Sequence, residues 1–210
     1  MMGGWKEGRP KPVIGIAGGI GSGKSSVARQ FGQMGCVVVD ADALAHEVLQ
    51  MPEVKAALRA WLGEEVFAPD GAVNRKAVAK RVFVGPEQIG RLNALIHPRV
   101  GAERERLTAA ALVDGAVAAV VWDIPLLFEI GLDKACDAVV FVRTDAKQRL
   151  RRLQETRGWG PEEVQRREKL QIPLDKKELI ADYCIDNSGN EAHTLAQVRV
   201  VLSQLLSIHR

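Results

Sequence analysis

The sequence predicts an α/β fold, a three-layer body built round a parallel sheet of five strands. Three observations lead there. Short runs such as Val13-Ile14-Gly15-Ile16-Ala17 and Val37-Val38-Val39 are apolar without alternation, as strands buried on both faces must be. Helical stretches separate these runs, the order expected of a sheet wound with crossovers. The chain has 210 residues, 47% apolar and 26% charged, enough for one domain with an inserted lobe. Its densest apolar run, Ala116 to Trp122, is seven residues long, against about 20 for a bilayer span. Met1 to Pro12 is polar, with no apolar h-region, so no secretory signal is expected. The expectation is a cytoplasmic protein with no membrane partner.

The first strand, Val13 to Ala17, runs into a glycine-rich turn, and a helix is expected over Ser25–Met34, stopped near Gly35. The second strand is Val37 to Val39, ending at Asp40. Helices follow over Ala43–Gln50, Pro52–Leu62, Asn74–Phe83 and Pro98–Leu112; proline suits a first helical turn because its missing N–H is not needed there. The third strand is Val117–Trp122, closed by Asp123, and the fourth is Ala138–Val142. A helix over Asp145–Thr156 precedes the fifth strand, Tyr183–Ile185, and a last helix covers Ala192–His209. The stretch from about 52 to 112 is too long for one crossover and reads as a helical lobe on the domain spanning 13–206. Residues 1–12 read as an N-terminal extension.

Gly18-Gly19-Ile20-Gly21-Ser22-Gly23-Lys24-Ser25 fits G-x-x-x-x-G-K-[ST] without a gap, between a strand and a helix as the motif requires. Glycines let backbone N–H groups of Gly19, Ile20, Gly21, Ser22 and Gly23 wrap an anion, and the helix N-terminus adds its positive dipole end. Lys24 reaches the β- and γ-phosphates of a nucleoside triphosphate, and the Ser25 hydroxyl can ligate Mg²⁺. The fold class narrows to the P-loop NTPases, with chemistry at the carboxyl ends of the strands.

Asp40-Ala41-Asp42 ends the second strand. A carboxylate there can take a proton from an attacking hydroxyl or hold a metal's water shell; it can equally cap the next helix. Asp123 stands where a Walker-B carboxylate would, so a water-mediated metal contact falls to Asp42 or Asp123. Between Arg143 and Lys177 lie eleven Lys/Arg and six Asp/Glu. That excess suits a solvated helix face, or a lid over about 145–178 whose arginines (Arg149, Arg152, Arg157, Arg166, Arg167) neutralise a transferred phosphoryl group. Cys36, Cys136 and Cys184 are odd in number and widely spaced, and read as small buried hydrophobes.

Taken together, Ile16 to Ser25, Val39-Asp40-Ala41-Asp42, Leu92 to Pro98, Asp123-Ile124-Pro125-Leu126-Leu127-Phe128-Glu129, Arg157, Gln171-Ile172-Pro173 and Asp186-Asn187-Ser188-Gly189 resemble the dephospho-coenzyme A kinase family. The resemblance runs in family order from Val13 to Leu206. It implies a transferase that phosphorylates the ribose 3′-hydroxyl of dephospho-coenzyme A with ATP and Mg²⁺, the last step of coenzyme A biosynthesis. It implies a nucleotide-binding core, a helical acceptor lobe and a helical lid. By position, Asp42 is then the general base, Lys24 and Arg157 act on the phosphates, and Gly19 to Ser26 with Asn187 bind ATP. Asp42, His97, Leu126, Phe128 and Glu129 fall on the acceptor side. Residues 1–12 lie outside the family pattern, Trp159 is unusual in the lid, and Asn187-Ser188 replaces an expected Asn-Asn.

The competing expectations are another small-molecule P-loop kinase, with a nucleoside, nucleotide or shikimate-like acceptor, and a nucleotide-switched regulatory protein. No Asn-Lys-x-Asp appears, and the one Asp-x-x-Gly, Asp186 to Gly189, comes after the last strand. The basic segment lacks interleaved aromatics apart from Trp159, so no nucleic-acid partner is expected. A monomer or weak homo-oligomer is.

Overall fold

In the computed structural model, which describes residues 9–208, five strands pair in parallel. They are β1 (Val13–Gly18), β2 (Val37–Asp40), β3 (Val120–Asp123), β4 (Ala138–Arg143) and β5 (Tyr183–Asp186), in the order β2-β3-β1-β4-β5. β1 is central and buried along its whole length, which is why its sequence carries no polar residue. Edge strand β5 is covered less completely. Cys184 on it is exposed, whereas Cys36 and Cys136 are buried; the expectation of three buried thiols fails at this edge.

The helices are α1 (Lys24–Gly32), α2 (Ala41–Leu49), α3 (Pro52–Leu62), α4 (Arg75–Val82), α5 (Pro86–Val113), α6 (Ala146–Arg157), α7 (Pro161–Glu168), α8 (Leu174–Ile180) and α9 (Glu191–Ile208). Val27 and Phe31 of α1 meet Val198, Leu202 and Leu205 of α9 against Ile14, Ile16, Val121 and Val140 of the sheet. Phe31 is fully buried there; truncating such a residue to Ala costs about 3–5 kcal/mol.

The chain divides into two compact units. One comprises the described residues up to Asp40 and from Thr108 onward; the other is Ala41–Leu107. The second unit has its own core, with Val48, Val54, Leu58, Val66, Val82 and Ile96 packed together. Asn74 caps α4 by accepting from Ala77 N at 3.2 Å, the ordinary service of an N-cap amide.

Several elements differ from the sequence expectation: β3 begins at Val120 and not at Val117, where the chain is still turning after α5, and α2 begins at Ala41 and not at Ala43. The helix expected to begin at Pro98 begins at Pro86 and runs 28 residues with Pro98 inside it. Pro98 has no N–H for the carbonyl four residues back; one position on, Arg99 Nη1 donates to Leu95 O at 2.7 Å and supplements the weakened turn. The end of the expected extension is also tied down. Arg9 pairs with Asp137 at 3.1 Å, Pro12 O accepts from Val120 N at 2.9 Å, and Lys11 Nζ bonds Ala111 O at 3.2 Å. Residues 1–8 of that extension lie outside the described residues.

Candidate active site

The phosphate loop leaves the centre of the sheet where β1 ends at Gly18, between β3 and β4. Gly23 caps α1 at φ +85, and a Cβ on it would stand 2.4 Å from Asn187 Nδ2. Both the left-handed backbone and the close approach require glycine. The back of the loop is braced. Ser22 O accepts from Thr144 Oγ1 at 2.8 Å and Asn187 Nδ2 at 2.8 Å. Arg152 Nη1 also reaches it, at 3.4 Å. Asn187 is itself fixed by Thr194 Oγ1, which donates to its Oδ1 at 3.1 Å.

Lys24 Nζ donates to Gly18 O at 3.2 Å and Gly19 O at 3.0 Å. Burial pulls its pKa down to about 8, opposed by the Asp123 carboxylate and reinforced by Lys177, Arg157 and Arg149. The charges of these groups therefore all act on one ammonium. Arg149 is buried, donates to Ile20 O at 3.1 Å and is ion-paired with Glu168. Cationic groups beside backbone N–H donors suit a polyanion.

Asp40 and Asp123 lie in register on adjacent strands, so their side chains share one face of the sheet. Asp123 is buried. Ser25 is exposed in the first turn of α1. A hydroxyl and carboxylates are oxygen donors, the chemistry Mg²⁺ prefers; it is commonly held by one or two protein oxygens and by substrate phosphates, without a full protein cage. Among the described residues no group of three or more His, Cys, Asp or Glu could form such a cage.

After β3 the chain turns sharply through 125–131. Leu126 takes φ 60 and is 42% exposed, while Leu127 and Phe128 are buried. A leucine in the left-handed region is strained, and such strain gathers at functional sites. Glu129 Oε1 accepts from Ile172 N at 3.0 Å and pairs with Lys177 Nζ at 2.6 Å. Burial pushes the Glu129 carboxyl up, but its bonds from Lys177 and from backbone N–H groups outweigh this and hold it below the usual range. Beside the loop, Gly23, Ser26, Gln30, Arg152, Asn187 and Gly189 line a cleft of about 580 Å³.

One unit thus brings together Gly19 to Ser26, Asn187, Asp123, Arg157 and Glu129. Asp42 and His97 belong to the other unit. Asp42 is exposed in the first turn of α2, and His97 is exposed within α5, immediately before Pro98. Sequence reasoning missed Lys177, which is 3% exposed. A signal was present: Lys177 falls three residues after Leu174 and three before Ile180 on α8, a helical spacing that puts it on an apolar face.

Comparison with known proteins gives a consistent result. A family model described as dephospho-CoA kinase matches residues 12–193. The chain is 40% identical to a dephospho-CoA kinase of Corynebacterium glutamicum over 92% of this chain and 97% of that protein. It is 40% identical to one from Syntrophotalea carbinolica over 92% of both. A crystal structure of a Thermus thermophilus protein superposes with a TM-score of 0.74 at 34% identity, covering 93% of this chain and 98% of that one.

Proposed function

The chain belongs to the dephospho-CoA kinase family, and from that membership we propose both the reaction and the residues that carry it. The reaction is transfer of the γ-phosphoryl group of ATP to the ribose 3′-hydroxyl of dephospho-coenzyme A. The observation that supports it most is the phosphate loop itself, with Lys24 Nζ held at Gly18 O and Gly19 O and the buried Arg149 guanidinium at Ile20 O. Phosphoryl transfer is catalysed chiefly by positioning and charge neutralisation, and this arrangement supplies both.

In this reading the N–H groups of Gly19 to Ser25 hold the β- and γ-phosphates. The cleft beside Asn187 and Arg152 takes the nucleoside. Asp42 accepts the 3′-hydroxyl proton as that oxygen bonds to the γ-phosphorus and the bond to the β-phosphate oxygen breaks, releasing ADP. Lys24, Arg149 and Arg157 face the charge on the transferred group. His97, Leu126, Phe128 and Glu129 bind the acceptor. Ser25 would hold Mg²⁺, with Asp42 or Asp123 as a water-mediated partner; the ion when bound offsets phosphate charge. Residues 145–178 act as a lid that excludes water, protecting ATP from hydrolysis, and residues 52–112 serve as the acceptor lobe.

The test is a steady-state assay with ATP-Mg²⁺, comparing dephospho-coenzyme A with adenosine, AMP and shikimate. The product is checked by mass for one added phosphate and by NMR for its position. Turnover confined to dephospho-coenzyme A, with phosphate on the 3′-oxygen, is the expected outcome. Preference for another acceptor would overturn the assignment.

A further inference from the structure

The lid contains one aromatic residue, and its role follows from how the lid's arginines are engaged. Arg149, Arg151, Arg152, Arg166 and Arg167 each donate to carboxylate or carbonyl oxygens. Among the described residues, Arg157 has no hydrogen-bond or ion-pair partner. Its guanidinium lies over the Trp159 ring instead, with Cζ 4.8 Å from the ring centroid. Arg167 lies over the same ring at 4.1 Å and is held by Glu163 Oε1 at 2.6 Å.

Stacking occupies the face of a guanidinium and leaves the donors round its edge available. The ring is itself held. Gly158 takes φ 67 at the end of α6; Gly158 N bonds Gln154 O at 3.0 Å and Trp159 N bonds Leu153 O at 3.3 Å. This paired closure ends a helix in one defined geometry. Leu153 lies directly under the phosphate loop, since a Cβ on Gly21 would be 2.9 Å from its Cγ. A short connected path therefore leads from the loop through Leu153 and Trp159 to Arg157.

We infer that Trp159 is a positioning residue for phosphoryl transfer: its ring, anchored through Leu153 to the phosphate loop, fixes the Arg157 guanidinium with its hydrogen-bond donors free for the transferred group. The inference rests on the proposed kinase reading and on the role given there to Arg157. An aromatic ring suits this task because it attracts the cation without consuming its N–H groups. A carboxylate in its place would neutralise the charge that the phosphates need.

The experiment is a double-mutant cycle on the full chain, with kcat and KM for ATP measured for Trp159→Leu, Trp159→Phe, Arg157→Ala and the Leu/Ala double variant. Melting temperatures confirm that each variant is folded, and Trp159→Gln replaces the Leu variant should that one fail to fold. Loss of the ring should lower kcat about 3–10-fold with KM for ATP within about twofold, and Phe should restore most of the rate. In the Arg157→Ala background, removing the ring should add nothing, as two residues acting through one group are non-additive. Equal losses in both backgrounds would mean a merely structural role and overturn the inference. So would a fully active Trp159→Leu enzyme when Arg157→Ala is impaired. Full activity of Arg157→Ala would overturn the role of Arg157 together with this inference, a result separable from failure of Trp159 alone.

Discussion

Lys177 Nζ sits 2.6 Å from Glu129 Oε1, joining α8 to the turn that follows β3. The lysine is nearly inaccessible, and its other bond is to Gln171 Oε1 at 3.2 Å. Losing one partner of a buried pair leaves the other charge uncompensated and costs about 3–5 kcal/mol. Because the Glu129 side chain retains 16% exposure, Lys177→Met should cost nearer about 2–3 kcal/mol and lower the melting temperature by roughly 5–10 °C. An unchanged melting curve would refute the pair's structural weight.

The same carboxyl gives a pH signature. Its folded pKa lies below the ordinary 4.5, so its contribution is complete above that value and is lost as pH falls through the folded value. Stability should therefore decline on the acid side, and Glu129→Gln should flatten that limb in a series of melts between pH 3 and 6, taken as an approximate window.

Lys24 has the opposite linkage. Its folded pKa, about 8, lies below the ordinary 10.5; between these values the unfolded chain binds the proton and the folded chain does not. Stability of the free enzyme should therefore fall as pH drops from 10.5 to 8, and the cost of charging the buried ammonium is fully present below that. Lys24→Met should melt higher than the parent while losing phosphoryl transfer, a trade of function against stability. For the parent, kcat/KM for ATP should decrease above about pH 8 as the ammonium is lost; a flat profile from pH 7 to about 10 would count against a phosphate-binding Lys24.

Asp42→Asn preserves size and removes the carboxylate proposed to accept the 3′-hydroxyl proton. Turnover should fall about 10²–10⁴-fold, the usual contribution of a general base, with ATP affinity by calorimetry little changed. Near-native turnover would leave Asp42 only the favourable place of a carboxylate in the first turn of α2.

How much of this was legible in the sequence depended on distance along the chain. Gly18 to Ser25 could be read because a phosphate loop is built from consecutive residues, and β1 because burial on both faces leaves it no polar residue. The continuity of α5 was not legible: Pro98 is a local signal for a helix start, and it was overridden by a helix already established from Pro86. Lys177 and its partner Glu129 are separated by 48 positions in the chain, and no local pattern links them. Arg157 was singled out by family position. The ring that supports it, Trp159, stood out only as an oddity, since a stacking partner can be recognised only when both groups are seen together.

The backbone at Leu126 makes its own prediction. With φ 60, this residue stores strain of about 1–3 kcal/mol, which an asparagine tolerates better. Leu126→Asn should raise the melting temperature by about 2–4 °C while raising KM for dephospho-coenzyme A. A lower melting temperature would show that the exposed leucine contributes more to the fold than its strain costs.

The buried ammonium of Lys24 has a consequence for the lifetime of the protein itself. Its burial works against the folded state, and a bound polyanion would relieve that cost, so the nucleotide would serve also as a structural counter-ion. At a hundredfold excess over its dissociation constant a ligand adds about 2.7 kcal/mol to stability. With triphosphate scarce, more molecules would open transiently and become accessible to proteases. The abundance of the enzyme would then follow the supply of its own phosphoryl donor, linking turnover of the protein to the energy state of its surroundings without a dedicated regulatory site.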